Sequence, residues 1–157
     1  MSKSEVYREL AGQVAALLRN ETDPVSNMAN AAALIHEALQ PHWTGFYVLA
    51  ADGTLHLGPF QGPVACTRIP AGRGVCGTAL QERRTLVVPD VDAFPGHIAC
   101  SSLSRSEIVV PLFAPDGRVL AVLDIDSRHL SAYDDEDARH LEEIAGIVAA
   151  ALKRATP

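Results

Sequence analysis

At 157 residues and 48% hydrophobic content, the chain has the size and composition of one domain with a real core. Its net charge of -6, with no run of Lys and Arg, argues against a protein that grips nucleic-acid phosphates, and no apolar run approaches the about 18 residues of a membrane span. Three cysteines, an odd number, argue against a closed disulfide framework, and the opening MSKSEVYRELAGQ has no apolar signal stretch, so a cytoplasmic location is expected.

Taken in order, residues 4–20 read as a helix, with Val6, Leu10, Val14 and Leu17 on one stripe. Asp23-Pro24 reads as an N-cap followed by proline at the first helical position. The second helix then places Val25, Met28, Ala32, Ile35 and Leu39 on its core side and stops at Pro41. Trp43 to Leu49 is rich in aromatic and β-branched residues and reads as a strand. The turn Ala51-Asp52-Gly53 leads to a second strand at Thr54–Phe60, giving a hairpin. A further strand at Ala65–Ile69 carries Cys66. The loop Pro70 to Gly74 is glycine-rich but lacks the Lys-Ser/Thr of a phosphate loop. A short helix, Val75 to Glu82, carries Cys76. Thr85–Val88 is a short strand, and Pro89 to Cys100 is a long loop of the kind that often carries function.

Glu107 opens the apolar run Ile108 to Phe113, which a turn at Ala114-Pro115-Asp116-Gly117 joins to a second run, Val119 to Ile125. The last helix, Asp134 to Arg154, sets Leu141, Ile144, Val148 and Leu152 on one face. Its acidic start and basic end match the helix dipole. Terminal helices around hairpin-linked strands imply an α+β fold: a central antiparallel sheet, the N- and C-terminal helices packed on one face, and a ligand pocket under loops on the other.

The chemistry concentrates between His97 and Asp126. Cys100 follows a Pro-Gly turn and lies among polar residues, whereas Cys66 and Cys76 also read as small buried hydrophobes. No CxxC is present, so no zinc site is expected. Asp124 and Asp126, two apart on a strand, point to the same face. Clustered carboxyls raise one another's pKa, and Glu107 at the head of an apolar run should be raised further by desolvation. A thiolate beside an acid that keeps its proton suits reduction of an oxygen-bearing substrate, the sulfur attacking and the acid protonating the departing oxygen. Trp43 and Tyr47 share a strand face and can wall an apolar pocket, with core packing as the alternative.

The segments WTGFY (43–47), LGPFQGPVAC (57–66), RIPAGRGVCGTA (68–79), VPDVDAFPGHIAC (88–100), SRSEIVVPL (104–112) and VLDIDS (122–127) together resemble the free methionine-(R)-sulfoxide reductases, enzymes of the GAF fold. The resemblance implies one GAF domain over residues 1–157, no cofactor and no bound metal. It casts Cys100 as the nucleophile that becomes a sulfenic acid, Cys66 as the residue that resolves it into a disulfide, and Cys76 as auxiliary. Thioredoxin is the implied reductant. Glu107, Asp124 and Asp126 match the acids that bind and protonate the sulfoxide and hold the substrate ammonium, their division of labour left open. Trp43 and Tyr47 match the aromatic walls around the methylthio end. Backbone amides near Ile98, Ala99 and Cys100 are expected to receive the substrate carboxylate, since such nests bind anions. A non-catalytic GAF sensor is the rival, but the chain ends at Pro157 with no room expected for an output domain. A thiol peroxidase is a second rival, and homodimer formation is left open.

Overall fold

The computed structural model describes residues 1–97 and 102–154. In chain order these form α1 (Lys3–Leu18), α2 (Pro24–Leu39), β1 (Trp43–Leu49), β2 (Leu55–Gln61), β3 (Arg68–Ile69), α3 (Gly74–Glu82), β4 (Leu86–Val88), β5 (Ser106–Phe113), β6 (Val119–Ser127) and α4 (Asp135–Arg154), with one turn of 3-10 helix at Val91–Ala93. The strands make a single sheet in the order β3-β2-β1-β6-β5-β4, and every neighbouring pair is antiparallel. The α+β expectation therefore holds.

Local chemistry accounts for the elements. Ser2 caps α1, its hydroxyl accepting from the Glu5 amide while the Glu5 carboxylate accepts from the Ser2 amide. Asp23 caps α2 and Pro24 takes its first position, as the sequence indicates. Between β5 and β6 the chain turns through Gly117, whose φ of 90° is open to glycine at little cost. Pro59 lies inside β2, where it could break a ladder. It sits where the β1–β2 register slips between Gly45 and Tyr47, so its missing N–H falls at an irregularity.

The core is two-sided. Phe46, Ile108, Val110, Leu112, Ala121, Leu123 and Ile125 face α1, α2 and α4 and form the larger cluster. The alternate residues of the same strands, among them Trp43, Tyr47, Val109 and Val122, face α3 and the loops. Cover on both faces explains why β5 reads as an almost unbroken apolar run.

The structure shifts several expected positions. The buried stripe of α1 is Tyr7, Leu10, Val14 and Leu18, because the helix turns Tyr7 inward to bond Asp137 on α4; Val6 is half-buried and Leu17 exposed. Val25 is exposed in the first turn of α2, and buried Asn27 takes that turn instead, donating to the Glu21 carbonyl. The acidic start of α4 is more than a solvated dipole match, since Asp137 is buried. Only Arg68 and Ile69 of the expected 65–69 strand pair with β2. Cys66 precedes them in a loop, where the Tyr47 hydroxyl takes its carbonyl.

Candidate functional site

Antiparallel register assembles the site. Trp43 pairs with Asp126 across β1–β6, and Asp126 pairs with Glu107 across β6–β5, so an indole and two carboxyls form one row over three strands. One step along, Gly45 pairs with Asp124 and Asp124 with Val109. These positions share the sheet face opposite the long helices. A pocket opens on that face, lined by all three acids together with Trp43, Tyr47 and Cys76.

The aromatic wall is pinned at both ends. Trp43 and Tyr47 are 4% and 2% exposed, with ring centroids 5.8 Å apart, and Trp43 also stacks on Phe60 at 5.3 Å. A side chain at Gly45 would run into the Trp43 ring and the Phe60 Cβ, so the stack needs glycine there. Trp43 Nε1 donates to the Pro63 carbonyl at 3.0 Å and the Tyr47 hydroxyl to the Cys66 carbonyl at 2.9 Å. The wall thus fixes the loop that carries Cys66. Core packing and pocket lining, the two readings of this pair, are both met.

Glu107 and Asp124 are 5% and 6% exposed, and Asp126 is half-buried at the rim. Burial pushes the Glu107 pKa well above the usual carboxyl range, and the charges of Asp124 and Asp126 push it further. Asp126 is raised in the same way, by burial and then by Asp124. Asp124 is raised by burial, but proton sharing with Glu107, Cys76 and Asp126 opposes the shift. Asp124 is therefore the natural anion of the group and Glu107 a natural proton holder. Asp124 Oδ1 is buried without a hydrogen-bond partner among the described residues.

The three cysteines part company. Cys76 is buried on the first turn of α3 and is a free thiol. Burial and then the acid charges push its pKa well up, so it rests as a neutral thiol and is a poor nucleophile. Cys66 is disulfide-bonded. Cys100, with Ile98 and Ala99, lies outside the described residues, so the expected nucleophile and carboxylate nest belong to that segment. Donor atoms of Cys76, Glu107 and Asp124 lie within 4.8 Å of one another and could hold a metal ion.

Sequence reasoning missed several lining residues. Val64, Ile69, Arg73, Val75 and Ser104 also border the pocket. Arg73 falls in the glycine-rich loop, whose sequence carries no phosphate-binding pattern to draw notice to it. The apolar ones give no signal in the sequence, because only the tertiary fold turns them inward.

The GAF domain family matches residues 26–153. The chain is similar to the crystal structure of free methionine-R-sulfoxide reductase from Neisseria meningitidis in complex with its substrate. The TM-score is 0.96 and the identity 52%, over 99% of this chain and 93% of that one. It is 51% identical to GAF domain-containing protein A of Dictyostelium discoideum over 91% of this chain and 90% of that one. It is 46% identical to free methionine-R-sulfoxide reductase of Escherichia coli over 92% of this chain and 87% of that one.

Proposed function

Because the chain belongs to the free methionine-R-sulfoxide reductase family of GAF domains, we propose that it reduces free L-methionine (R)-S-oxide to L-methionine by thiol chemistry, residues 1–157 acting as one GAF domain. The observation that carries this reading is the pocket itself. An aromatic pair stands beside three carboxyls, and burial with the neighbouring acids pushes the Glu107 pKa well above the usual carboxyl range.

In the proposed reaction the Cys100 thiolate attacks the sulfoxide sulfur while Glu107 delivers a proton to the oxygen, which is a poor leaving group until protonated. The protonated oxygen then passes from the substrate sulfur to the Cys100 sulfur as the transient S–S bond breaks, so methionine departs with the electron pair on its sulfur and Cys100 is left as a sulfenic acid. The Cys66 thiol then attacks that sulfur, releasing water and closing a disulfide. The free state of Cys76 and the bonded state of Cys66 support this pairing. A thioredoxin dithiol restores both thiols, as a reducing cytoplasm requires. Asp124, the least proton-laden acid, suits the substrate ammonium, and Trp43 and Tyr47 suit the methylthio end. Amides of Ile98, Ala99 and Cys100 would take the carboxylate.

The test is thioredoxin-linked oxidation of reductant with four oxidants: the free (R)-sulfoxide, its N-acetylated and C-amidated analogue, a protein-bound sulfoxide, and hydrogen peroxide. Capping both ends leaves the partners of two charged groups unpaired, at about 1–3 kcal/mol each. The free amino acid should therefore turn over well and the analogue very slowly. Comparable turnover of the two would refute the free-substrate reading. Preference for peroxide would favour a thiol peroxidase, and no turnover with any of the four a sensor.

A further inference from the structure

We propose that Cys76, Glu107 and Asp124 form a binding site for a borderline divalent cation, Zn²⁺ being the fitting member. The three residues come from α3, β5 and β6, and no local spacing joins them. The β5–β6 register pairs Glu107 with Asp126 and Val109 with Asp124, which sets Glu107 diagonal to Asp124, two pairs away on the same face, and α3 lays Cys76 against them. One donor atom of each lies within 4.8 Å of the others. A cation about 2.0–2.3 Å from each donor needs the three drawn together by roughly an ångström.

A second feature points to a ligand. Asp124 Oδ1 is buried and has no hydrogen-bond partner among the described residues. A buried carboxylate oxygen without a donor is costly, and a cation satisfies it directly. Donor chemistry narrows the choice. Mg²⁺ and Ca²⁺ prefer oxygen-only sets, whereas one thiolate with two carboxylates suits Zn²⁺. Three protein ligands also leave a fourth position facing the pocket, the arrangement of zinc sites that keep an exchangeable water. On binding, the Cys76 thiol proton and any proton on the two carboxyls go to solvent, so affinity rises with pH. The dication removes the mutual repulsion of the three anions. It also fills the acidic end of the pocket and so displaces a substrate ammonium. That last consequence rests on the reaction proposed above; the site itself does not.

The experiment uses the oxidised protein, in which Cys66 is held in its disulfide and Cys76 is the free thiol. Zn²⁺ is titrated against a chromogenic chelator at pH 6 and pH 8, and Co²⁺ is used as a spectroscopic probe. The expected result is one Zn²⁺ per chain, tighter at pH 8, and a cobalt complex with a thiolate-to-metal charge-transfer band. Cys76→Ser should abolish that band and weaken zinc binding by more than the about 10–100-fold typical of losing an outer-sphere partner. Asp116→Asn, on the exposed β5–β6 turn, should change nothing. Circular dichroism checks folding, and if Cys76→Ser does not fold, the wild-type cobalt spectrum decides alone. Absence of stoichiometric binding, a cobalt complex without the thiolate band, or unchanged affinity in folded Cys76→Ser would each overturn the site. No turnover is measured, so failure here leaves the proposed reaction untouched.

Discussion

Asp137 and Asp124 are both buried carboxylates, 4% and 6% exposed, on opposite sides of one sheet. On the helical side, Asp137 accepts from the Tyr7 hydroxyl at 2.7 Å, from Lys3 Nζ at 2.9 Å and from the Asp134 amide at 2.8 Å. On the pocket side, Asp124 has an oxygen with no partner among the described residues and two further carboxyls for neighbours. The first arrangement ties α1 to α4 and belongs to the architecture. The second works against the fold, and such clusters mark the places where chemistry is done. The same division runs through the strands residue by residue. Ile108 belongs to the helical core, and Glu107 beside it belongs to the pocket.

Substitutions at these two adjacent residues should separate the two faces. Glu107→Gln keeps the volume and can still donate a hydrogen bond, but it cannot deliver a proton. Single-turnover methionine release should fall by about 10²–10⁴-fold, the usual worth of general acid catalysis, with near-ultraviolet circular dichroism unchanged. Near-normal release by the folded variant would pass the acid role to Asp124 or Asp126. The next residue should behave in the opposite sense. Ile108→Ala opens a cavity in the helical core and should cost about 2–5 kcal/mol by urea unfolding. At a temperature where it stays folded, its single-turnover rate should remain close to that of wild type. A large rate loss there would mean the two faces are not separable.

The faces also differ in how much of each was legible beforehand. The Asp23-Pro24 cap, the extent of β1, the β5–β6 hairpin and the shared face of Asp124 and Asp126 all follow from local chemistry and periodicity. The shared face of Trp43 and Tyr47 left pocket wall and core packing both open, and the resemblance adds the place of these rings and of Glu107 around one substrate. Periodicity alone misplaced Val6, Leu17 and Val25, since a helix can satisfy an apolar stripe at several rotations and the tertiary partner chooses one. Tyr7 shows how: a polar tip on an aromatic body gives no stripe signal, yet its bond to Asp137 sets the face of α1. Cys66 was misplaced on a strand because its carbonyl partner is the side chain of Tyr47, 19 residues earlier.

The helical-side carboxylate predicts a smaller loss. Tyr7→Phe removes one donor from Asp137 and leaves the ring stacked on His140, whose centroid lies 4.8 Å away. Stability should fall by about 1–3 kcal/mol, the cost of leaving a buried acceptor short of a partner, with the reaction rate unchanged. A neutral outcome would mean that Lys3 and the Asp134 amide alone satisfy Asp137.

The smallest effect has the opposite sign. Glu107 carries a native pKa well above its ordinary value because burial and the neighbouring acids penalise its charge. As pH rises past about 4.3, the unfolded chain loses this proton first. The native state then binds more protons than the unfolded state, so stability falls with rising pH until the native carboxyl also ionises. Glu107→Gln removes that liability. At pH 4 the variant and wild type should melt within a degree or so of each other. At pH 7.5 the variant should melt higher than wild type, because the unfolded chain has lost the Glu107 proton while the native site still penalises its charge. The slope of melting temperature against pH should flatten without vanishing, since Asp126 is raised by the same causes. Calorimetry at the two pH values decides it. A variant that melts lower at pH 7.5 would mean that ionised Glu107 is stabilised in the native state, and the acid with the retained proton would then have to be sought in Asp126.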